Sequence, residues 1–229
     1  MQIIRACEDS LRRLDTDYID LYQTHWPDHG MPYEEVLGVL SELRDDGKVR
    51  VVGASNETCW GMMKACWAAD VYDVDRYETV QNNFSLINRR CESELAQVCR
   101  REQVSLLPYS PLGGGLLTGK YGTSKKPDEG RLTDNPMYQK RYGQQWVYQV
   151  AEDFTQFARE QGFEPAALAV AWVGSHPAVT APIIGARNLE QLDGSLKALE
   201  IDMTAELYAQ VSALSPTPPP ATDRLEEQG

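Results

Sequence analysis

Residues 107–121 of the chain read LPYSPLGGGLLTGKY. The run that precedes them, Val104 to Leu107, is apolar and favours β-structure, so the sequence predicts a strand that ends in a Pro- and Gly-rich loop. Three consecutive glycines at 113–115 allow the backbone to approach a ligand closely and leave N–H groups free to face a phosphate. The stretch therefore predicts a strand followed by a loop that binds a phosphorylated ligand.

Two known phosphate-binding motifs are similar to this loop, and each fails at one position. Residues 114–120 match Gly-x-x-x-x-Gly-Lys, but Tyr121 stands where a P-loop needs Ser or Thr for Mg²⁺. The residues after Tyr121 include Gly122 and Pro127 and are not expected to continue as a helix. The Gly-x-Gly-x-x-Gly fingerprint fails because Thr118 occupies the place of its third glycine. The sequence therefore disfavours a nucleoside triphosphatase.

The composition indicates a single acidic globular domain. The chain has 229 residues, 42% of them hydrophobic, which suffices for one sizeable core. Its formal net charge of −12 disfavours nucleic acid as a partner, while a local basic pocket for a small phosphate remains compatible with that charge.

The cysteines and the apolar segments indicate a cytoplasmic protein. The cysteines are five in number, without a Cys-x-x-Cys pair, which predicts reduced thiols in preference to disulfides, a metal site or a reactive thiol. No run reaches the apolar length of a membrane span, and residues 1–14 carry charges in place of a signal-peptide core. We therefore expect no membrane partner.

Short β-rich runs alternate with helical segments along the chain. Strands are predicted over 18–24, 48–54, 79–84, 104–107 and 181–186. Helices are predicted over 2–14, 32–46, 57–69, 90–101, 144–160, 166–173 and 204–214, with a polar loop at 123–135. This alternation is typical of parallel β/α units.

Polar residues follow the predicted strands at a regular interval. His25, Ser55, Gln81 and Tyr109 succeed one another every 26 to 30 residues. Such regularity favours a TIM-type (β/α)8 barrel over a doubly wound sheet, and in a barrel the strand ends form the active site. We therefore expect a shared rim to hold His25, Ser55, Asn56, Gln81, Tyr109 and Arg187.

Five motifs follow one another in a recognisable order: residues 17–28 (DYIDLYQTHWPD), 53–56 (GASN), 80–86 (VQNNFSL), 109–121 (YSPLGGGLLTGKY) and 184–192 (IGARNLEQL). Together they resemble the aldo/keto reductase family, in the bacterial branch that is similar to potassium-channel β-subunits. The resemblance runs from residue 2 to about 214. It implies an aldo/keto reductase domain over 1–214, and 215–229 is predicted to be a disordered Pro-rich and acidic tail.

The resemblance implies NADP(H) as the cofactor and hydride transfer to an aldehyde or ketone as the reaction. At the matching positions, Ser55, Asn56 and Gln81 would hydrogen-bond the nicotinamide carboxamide, and Tyr109 would stack on its ring. The residues that would surround the pyrophosphate, by backbone N–H groups or by charge, are Ser110, Pro111, Leu112, Gly113, Gly115, Lys120 and Arg131.

The resemblance also implies which residues bind the 2′-phosphate of the cofactor and which contact the substrate. Arg187 would bind a 2′-phosphate in a bidentate manner, which favours NADP over NAD, and Gly185 and Gln191 belong to the same cofactor segment. His25 matches the family histidine that orients the substrate carbonyl, and Trp26 would touch the substrate.

Each of these residues also has a structural interpretation. Ser55 and Asn56 are typical of a helix N-cap, Gln81 of a buried hydrogen-bonding side chain, and Arg187 of a surface ion pair. His29 and His176 are expected to be structural, and Lys125 and Lys126 to be solvated.

Two departures from the family pattern keep alternatives open. Gly194 and Ser195 stand where the family has a Glu-Asn pair that contacts adenine. The family's proton-donating Tyr, with its Lys and Asp, belongs to strands before the helix at 2–14, so we expect an N-terminally truncated or mis-started chain that forms a partial barrel of about five β/α units. The alternatives are a reductase, a non-catalytic NADP(H)-binding regulatory protein, and an inactive fragment of a longer reductase.

Overall fold

Four parallel strands form a sheet in the computed structural model, which describes residues 2–128 and 130–219, and of Arg131 only the main chain. The strands lie in chain order: β1 (Ile19–Thr24), β2 (Val49–Ser55), β3 (Thr79–Gln81) and β4 (Ser105–Leu106). In the described part of the chain, β1 and β4 are the edges of this sheet, so it is open. The predicted α/β class with parallel strands is therefore confirmed, whereas a closed barrel is not formed by these strands.

The chain folds into two compact units. Unit 1 comprises the residues up to Asn82 together with Glu94–Leu107, and it contains the whole sheet. Unit 2 comprises Asn83–Ser93 and the residues from Pro108 onward.

In unit 1 a helix precedes β1 and each later crossover carries one. These helices are α1 (Gln2–Leu14), α2 (Tyr33–Asp45), α3 (Cys59–Tyr72) and α4 (Leu95–Arg101). Leu37, Leu40 and Leu43 recur on one face of α2 and are buried, because that spacing brings them to the same side of the helix. The helices that were predicted at 2–14 and 32–46 are thereby confirmed.

The register of the first three strands depends on one glycine. Gly53 pairs with Gln23 of β1 and with Thr79 of β3. A Cβ at Gly53 would lie 2.1 Å from Thr79 Oγ1, so only glycine allows the neighbouring strand this close. In the space so provided, Gln23 Nε2 donates to Ala54 O (3.2 Å) and to Thr79 Oγ1 (3.1 Å) and ties the three strands together.

Unit 2 is helical and is built around an apolar helix. Its helices are α5 (Arg131–Asp134), α6 (Pro136–Tyr142), α7 (Gln145–Glu160), α8 (Pro165–Gly174), α9 (Leu189–Leu196) and α10 (Ala205–Ala213). Trp172 of α8 is fully buried, stacks on Tyr208 with 5.5 Å between ring centroids, and donates from Nε1 to Ser212 Oγ (2.9 Å).

Two details of unit 2 differ from the predictions, and a third lies mostly outside the described residues. The loop predicted at 123–135 contains α5 from Arg131 onward. The strand predicted at 181–186 is reduced to one β-bridge, between Ile183 and Tyr109, with Ile183 N donating to Pro108 O (2.7 Å). Pro182 and Pro108 lack an N–H, so neither segment can extend the ladder. Of the tail predicted at 215–229, residues 220–229 lie outside the described residues.

The five cysteines form no disulfide with one another. Within residues 2–128 and 130–219, no helix combines the length and the apolar character needed to cross a membrane.

Candidate functional site

Four of the predicted site residues meet at the C-terminal edge of the sheet in unit 1. Ser55 ends β2, Gln81 ends β3, and His25 directly follows β1. Gln81 O accepts from Ser55 Oγ (2.8 Å) and from Asn56 N (3.0 Å), while Asn56 Nδ2 donates to His25 O (2.9 Å). Because parallel strands end on the same side, the chain brings these residues together as predicted.

The turn at Asn56 is held in a left-handed conformation, with φ of 57°. Asn tolerates this region better than most residues, but it still costs conformational energy and persists only where neighbours enforce it. Asn82 supplies the restraint: Glu57 N donates to Asn82 Oδ1 (3.1 Å), and Asn82 Nδ2 donates to Glu57 O (2.8 Å).

The alternative interpretation of Ser55 and Asn56 as a helix N-cap is wrong. The N-cap of α3 is Thr58, whose Oγ1 accepts from Gly61 N at 2.9 Å. The Ser55 hydroxyl and the Asn56 amide bond to the ends of neighbouring strands instead.

A buried carboxylate that the sequence did not suggest lies behind this turn. Glu57 is 4% exposed, and its Oε2 accepts from Tyr33 OH (2.9 Å). Its Oε1 accepts from Thr58 N (2.7 Å) and lies 3.1 Å from His29 Nε2. Burial, and then the bond to Glu57, raises the pKa of Tyr33. His29 is thus structural, as predicted, and it ties the loop after β1 to the turn at Asn56.

The predicted substrate residues His25 and Trp26 lie on the surface of unit 1. Both side chains are exposed, and their ring centroids are 5.8 Å apart at an interplanar angle of 47°. They are accessible to a small molecule from solvent.

In unit 2 the loop after Tyr109 is folded through several left-handed residues. Ser110 has φ of 58°, and the three glycines at 113–115 have φ of 56°, 70° and 105°. Gly113 must be a glycine for two reasons. Its φ is positive, and a Cβ there would lie 2.4 Å from Ile87 Cδ1. Tyr109 is half-buried, burial raises its pKa, and its carbonyl accepts from Phe84 N (3.3 Å).

Two backbone N–H groups of this loop already donate hydrogen bonds within the loop. Gly113 N donates to Ser110 O and Gly115 N to Leu112 O, each at 2.9 Å. A pyrophosphate could use these two N–H groups only by sharing them. The flanking Pro111 is buried and Leu112 is half-buried.

The cations predicted near this loop differ in their placement. Lys120 is exposed, and the side chain of Arg131 lies outside the described residues. Lys125 was expected to be solvated; it is exposed, but its Nζ donates to Gly119 O (3.0 Å) and so braces the loop.

Two buried polar atoms beside the loop lack partners. Among the residues that the structure describes, Asn83 Oδ1 and Ser85 Oγ find no hydrogen-bond partner. Asn83 is bridged to Tyr109, and the Ser85 Oγ lies 3.8 Å from the Cβ position of Gly113. Unsatisfied buried polar atoms are costly, and they fit a segment that binds a polar ligand.

Arg187 and Gln191 come together at the start of α9. Gln191 Oε1 accepts from Arg187 N (3.1 Å), and Gln191 N donates to Asn188 Oδ1 (2.9 Å), so Asn188 is the N-cap. Arg187 and Gly185 are both exposed.

The chain is similar to proteins from bacteria and yeast. The aldo/keto reductase family model matches residues 1–216. The chain is 37% identical to Protein tas of Escherichia coli, with 93% of this chain and 66% of that protein covered. It is 35% identical to the uncharacterized oxidoreductase YrpG of Bacillus subtilis, with 95% and 64% covered.

A putative aryl-alcohol dehydrogenase of Saccharomyces cerevisiae, AAD14, is 30% identical, with 92% of this chain and 56% of that protein covered. The chain thus spans two thirds or less of the length of these three relatives. The match over 1–216, together with these identities, shows that this chain belongs to the aldo/keto reductase family.

Proposed function

We propose that the protein is an NADP(H)-dependent oxidoreductase that reduces aldehydes or ketones to alcohols. Membership of the aldo/keto reductase family supports an oxidoreductase. The observation that carries the proposal is the arrangement at the sheet edge, where Ser55, Asn56 and Gln81 are bonded to one another and Asn56 is held at φ of 57°. Such enforced strain is typical of ligand clamps.

The described residues fit a dinucleotide in each unit separately. In unit 1, the Ser55 hydroxyl and the Gln81 amide would hold a carboxamide, since both supply the donors and acceptors that it needs. In unit 2, considered by itself, the loop from Ser110 to Gly115 and the Asn83 Oδ1 beside it offer polar groups that a dinucleotide could bind. The bound nicotinamide would supply a hydride to the carbonyl carbon.

The chain's own residues would orient the other reactants. His25 would hydrogen-bond the carbonyl oxygen, and Trp26 would cover the apolar part of the substrate, since both are exposed beside the Asn56 turn. The Arg187 guanidinium would pair with a 2′-phosphate in a bidentate manner, which distinguishes NADP(H) from NAD(H).

A second candidate is an NADP(H)-binding regulatory protein without turnover. A tyrosine that donates a proton near neutral pH needs a lowered pKa. Among the described residues, each tyrosine whose pKa departs from its usual value has that pKa raised by burial: Tyr22, Tyr33, Tyr77, Tyr109, Tyr142, Tyr148 and Tyr208. This observation favours cofactor binding without proton donation by any of these seven tyrosines.

Cofactor titration followed by an assay of turnover tests both candidates. NADPH and NADH are titrated against tryptophan fluorescence with the original chain, with Arg187→Ala and with Arg187→Lys. We expect NADPH to bind more tightly than NADH, and Arg187→Ala to weaken NADPH by about tenfold or more while leaving NADH unchanged.

Oxidation of bound NADPH on addition of aldehydes or ketones would select the reductase. Saturable NADPH binding without oxidation would select the regulatory protein. Failure to bind either dinucleotide contradicts both candidates.

A further inference from the structure

A row of three residues crosses the first three strands just before the strand ends of the candidate site. Gln23 of β1 pairs with Gly53 of β2, and Gly53 pairs with Thr79 of β3. Ser55 and Gln81 pair with each other two residues further on. Because successive side chains of a strand point to opposite faces, these two rows lie on the same face of the sheet. The row of Gln23 is thus the next one to the residues predicted to hold the carboxamide.

The face of the sheet that carries Gln23 is the more accessible one in unit 1. Val52, Ala54 and Val80 alternate with the row along β2 and β3, and each is at most 3% exposed. Gln23 and Thr79 are only half-buried. One face of these strands is therefore apolar and buried, and the other presents polar side chains that lead up to the strand ends.

The side-chain amide of Gln23 uses both of its N–H bonds to join β1 to the next two strands. Nε2 donates to Ala54 O (3.2 Å) and to Thr79 Oγ1 (3.1 Å). Ala54 O can only accept a hydrogen bond, so the amide nitrogen must face it. Ala54 directly precedes Ser55, and Thr79 stands two residues before Gln81. Both bonds therefore act next to a predicted site residue.

Gly53 provides the space through which the amide crosses β2. A Cβ at Gly53 would clash with Thr79 Oγ1 and would come within 3.2 Å of Gln23 Cγ. A ladder hydrogen bond fixes one strand against its neighbour, whereas the Gln23 side chain fixes three strands at once. It does so close to Thr24, Ser55 and Gln81, where these strands end.

The candidate site depends on the spacing of these strand ends. His25 follows Gln23 by two residues, and its carbonyl accepts from Asn56 Nδ2 (2.9 Å). Asn56 N donates in turn to Gln81 O (3.0 Å). We propose that Gln23 is a positioning residue, whose amide fixes the spacing of the three strand ends and of the site residues on them without contacting the cofactor. This role rests on the proposed function, because small displacements of binding groups weaken a bound ligand.

Titration of NADPH against tryptophan fluorescence tests the role with variants of Gln23 and Thr79. Gln23→Met keeps the length of the side chain but removes both hydrogen bonds, so we expect the affinity for NADPH to fall by about tenfold. Thr79→Val removes one of the two acceptors and should weaken binding by about threefold. Thr79→Ser keeps the acceptor and should bind NADPH like the original chain. If Thr79 acted by packing alone, valine would preserve the affinity and serine would lower it.

Hydrogen exchange of the free protein tests the spacing itself and needs no cofactor. Asn56 N donates to Gln81 O across the ends of β2 and β3, so its exchange rate reports how often these ends separate. We expect exchange at Asn56 to be about tenfold faster in Gln23→Met and unchanged in Thr79→Ser. Val52→Ala is the matched control, because Val52 is buried on the other face of β2. It should lower the urea midpoint of unfolding but change neither the NADPH affinity nor the exchange at Asn56.

Three results would overturn the positioning role. The first is normal NADPH affinity in Gln23→Met. The second is a loss of affinity with unchanged exchange at Asn56, which would mean that Gln23 contacts the cofactor itself. The third is an equal loss of affinity in Val52→Ala, which would make general instability the cause. If the original chain binds no dinucleotide while exchange at Asn56 responds to Gln23→Met as expected, the proposed function fails and the role of Gln23 in spacing the strands is supported.

Discussion

The side-chain amide of Asn82 forms two hydrogen bonds with the main chain of Glu57. Its Oδ1 accepts from Glu57 N at 3.1 Å, and its Nδ2 donates to Glu57 O at 2.8 Å. The residue between this clamp and β2 is Asn56, which is held at a positive φ. Asn82 therefore positions the Asn56 turn through Glu57. We propose that Asn82 affects the affinity for a cofactor through this turn, without contacting the cofactor itself.

We expect Asn82→Ala to lower the free energy of unfolding by about 2 kcal/mol, because two bonds to a largely buried main chain are lost. NADPH affinity should fall as well, since Asn56 is released from its left-handed conformation. Urea unfolding and fluorescence titration measure the two effects.

Two variants separate positioning by Asn82 from general instability. Thr204→Ala removes the N-cap of α10 in unit 2, which should cost about 1 kcal/mol and leave NADPH affinity unchanged. Asn82→Asp keeps the acceptor for Glu57 N but sets an oxygen against Glu57 O, so its affinity should be reduced like that of Asn82→Ala. Normal NADPH affinity in Asn82→Asp would contradict the positioning role.

The second prediction concerns Gly113, where conformation and close contact coincide. Gly113→Ala introduces a methyl group at a φ of 56° and 2.4 Å from Ile87 Cδ1. We expect a loss of about 2–4 kcal/mol in unfolding free energy, measured by the urea midpoint. Gly162→Ala is the control, because φ is 79° there but nothing lies within 4 Å of the new Cβ. It should cost about 1 kcal/mol; equal losses at the two sites would show that the contact with Ile87 has no effect.

The sequence predicts those parts of the fold that depend on local pattern. Periodic apolar residues place α1, α2 and α7 within a few residues of their observed bounds, since one face of each helix must be buried. The strand predicted at 181–186 does not form, because the apolar composition on which the prediction rests says nothing about which residues have an N–H to donate. Pro182 and its facing Pro108 remove the N–H groups that a ladder requires.

The sequence also predicts which polar residues meet at the ends of the strands better than it predicts the residues that support them. Ser55, Asn56 and Gln81 belong to recognisable motifs at strand ends. Glu57 lies outside these motifs, and the motif at 80–86 contains Asn82 without indicating its role, because the roles of both residues arise from contacts between neighbouring β/α connections. Once β2 and β3 are paired, Ser55 lies opposite Gln81, and the residues that follow each strand can meet.

The third prediction concerns the reactivity of the cysteine thiols. Cys99 is 1% exposed, and burial raises its pKa to about 12, whereas Cys59 is only partly buried. The thiolate is the reactive form, so iodoacetamide at about pH 8 should label Cys59 first and Cys99 only as fast as unit 1 opens. Peptide mass spectrometry over time measures both rates. Comparable labelling of Cys59 and Cys99 in the native protein would contradict the packing of α4.

The last prediction concerns alkaline stability and Tyr77. Tyr77 is 2% exposed, and burial raises its pKa from 10 to about 12. The folded protein therefore keeps this proton where the unfolded chain has lost it. The stability that this difference represents is fully present below pH 10 and is lost as pH rises from 10 to about 12. Two pKa units correspond to a loss on the order of 2–3 kcal/mol.

Tyr77→Phe should remove this contribution, because phenylalanine does not ionise. Among the residues that the structure describes, the Tyr77 hydroxyl would lose one long hydrogen bond, from Thr24 Oγ1 (3.5 Å). Urea unfolding at several pH values between 9 and 12 gives the slope for each variant. Tyr208 and Cys99, whose pKa values burial also raises to about 12, contribute in the same direction, so the measured quantity is the difference between variants. Tyr18→Phe, at an exposed tyrosine, should keep the slope of the original chain. If Tyr77→Phe keeps that slope too, Tyr77 ionises as readily in the folded chain as in the unfolded one, and its hydroxyl must reach solvent.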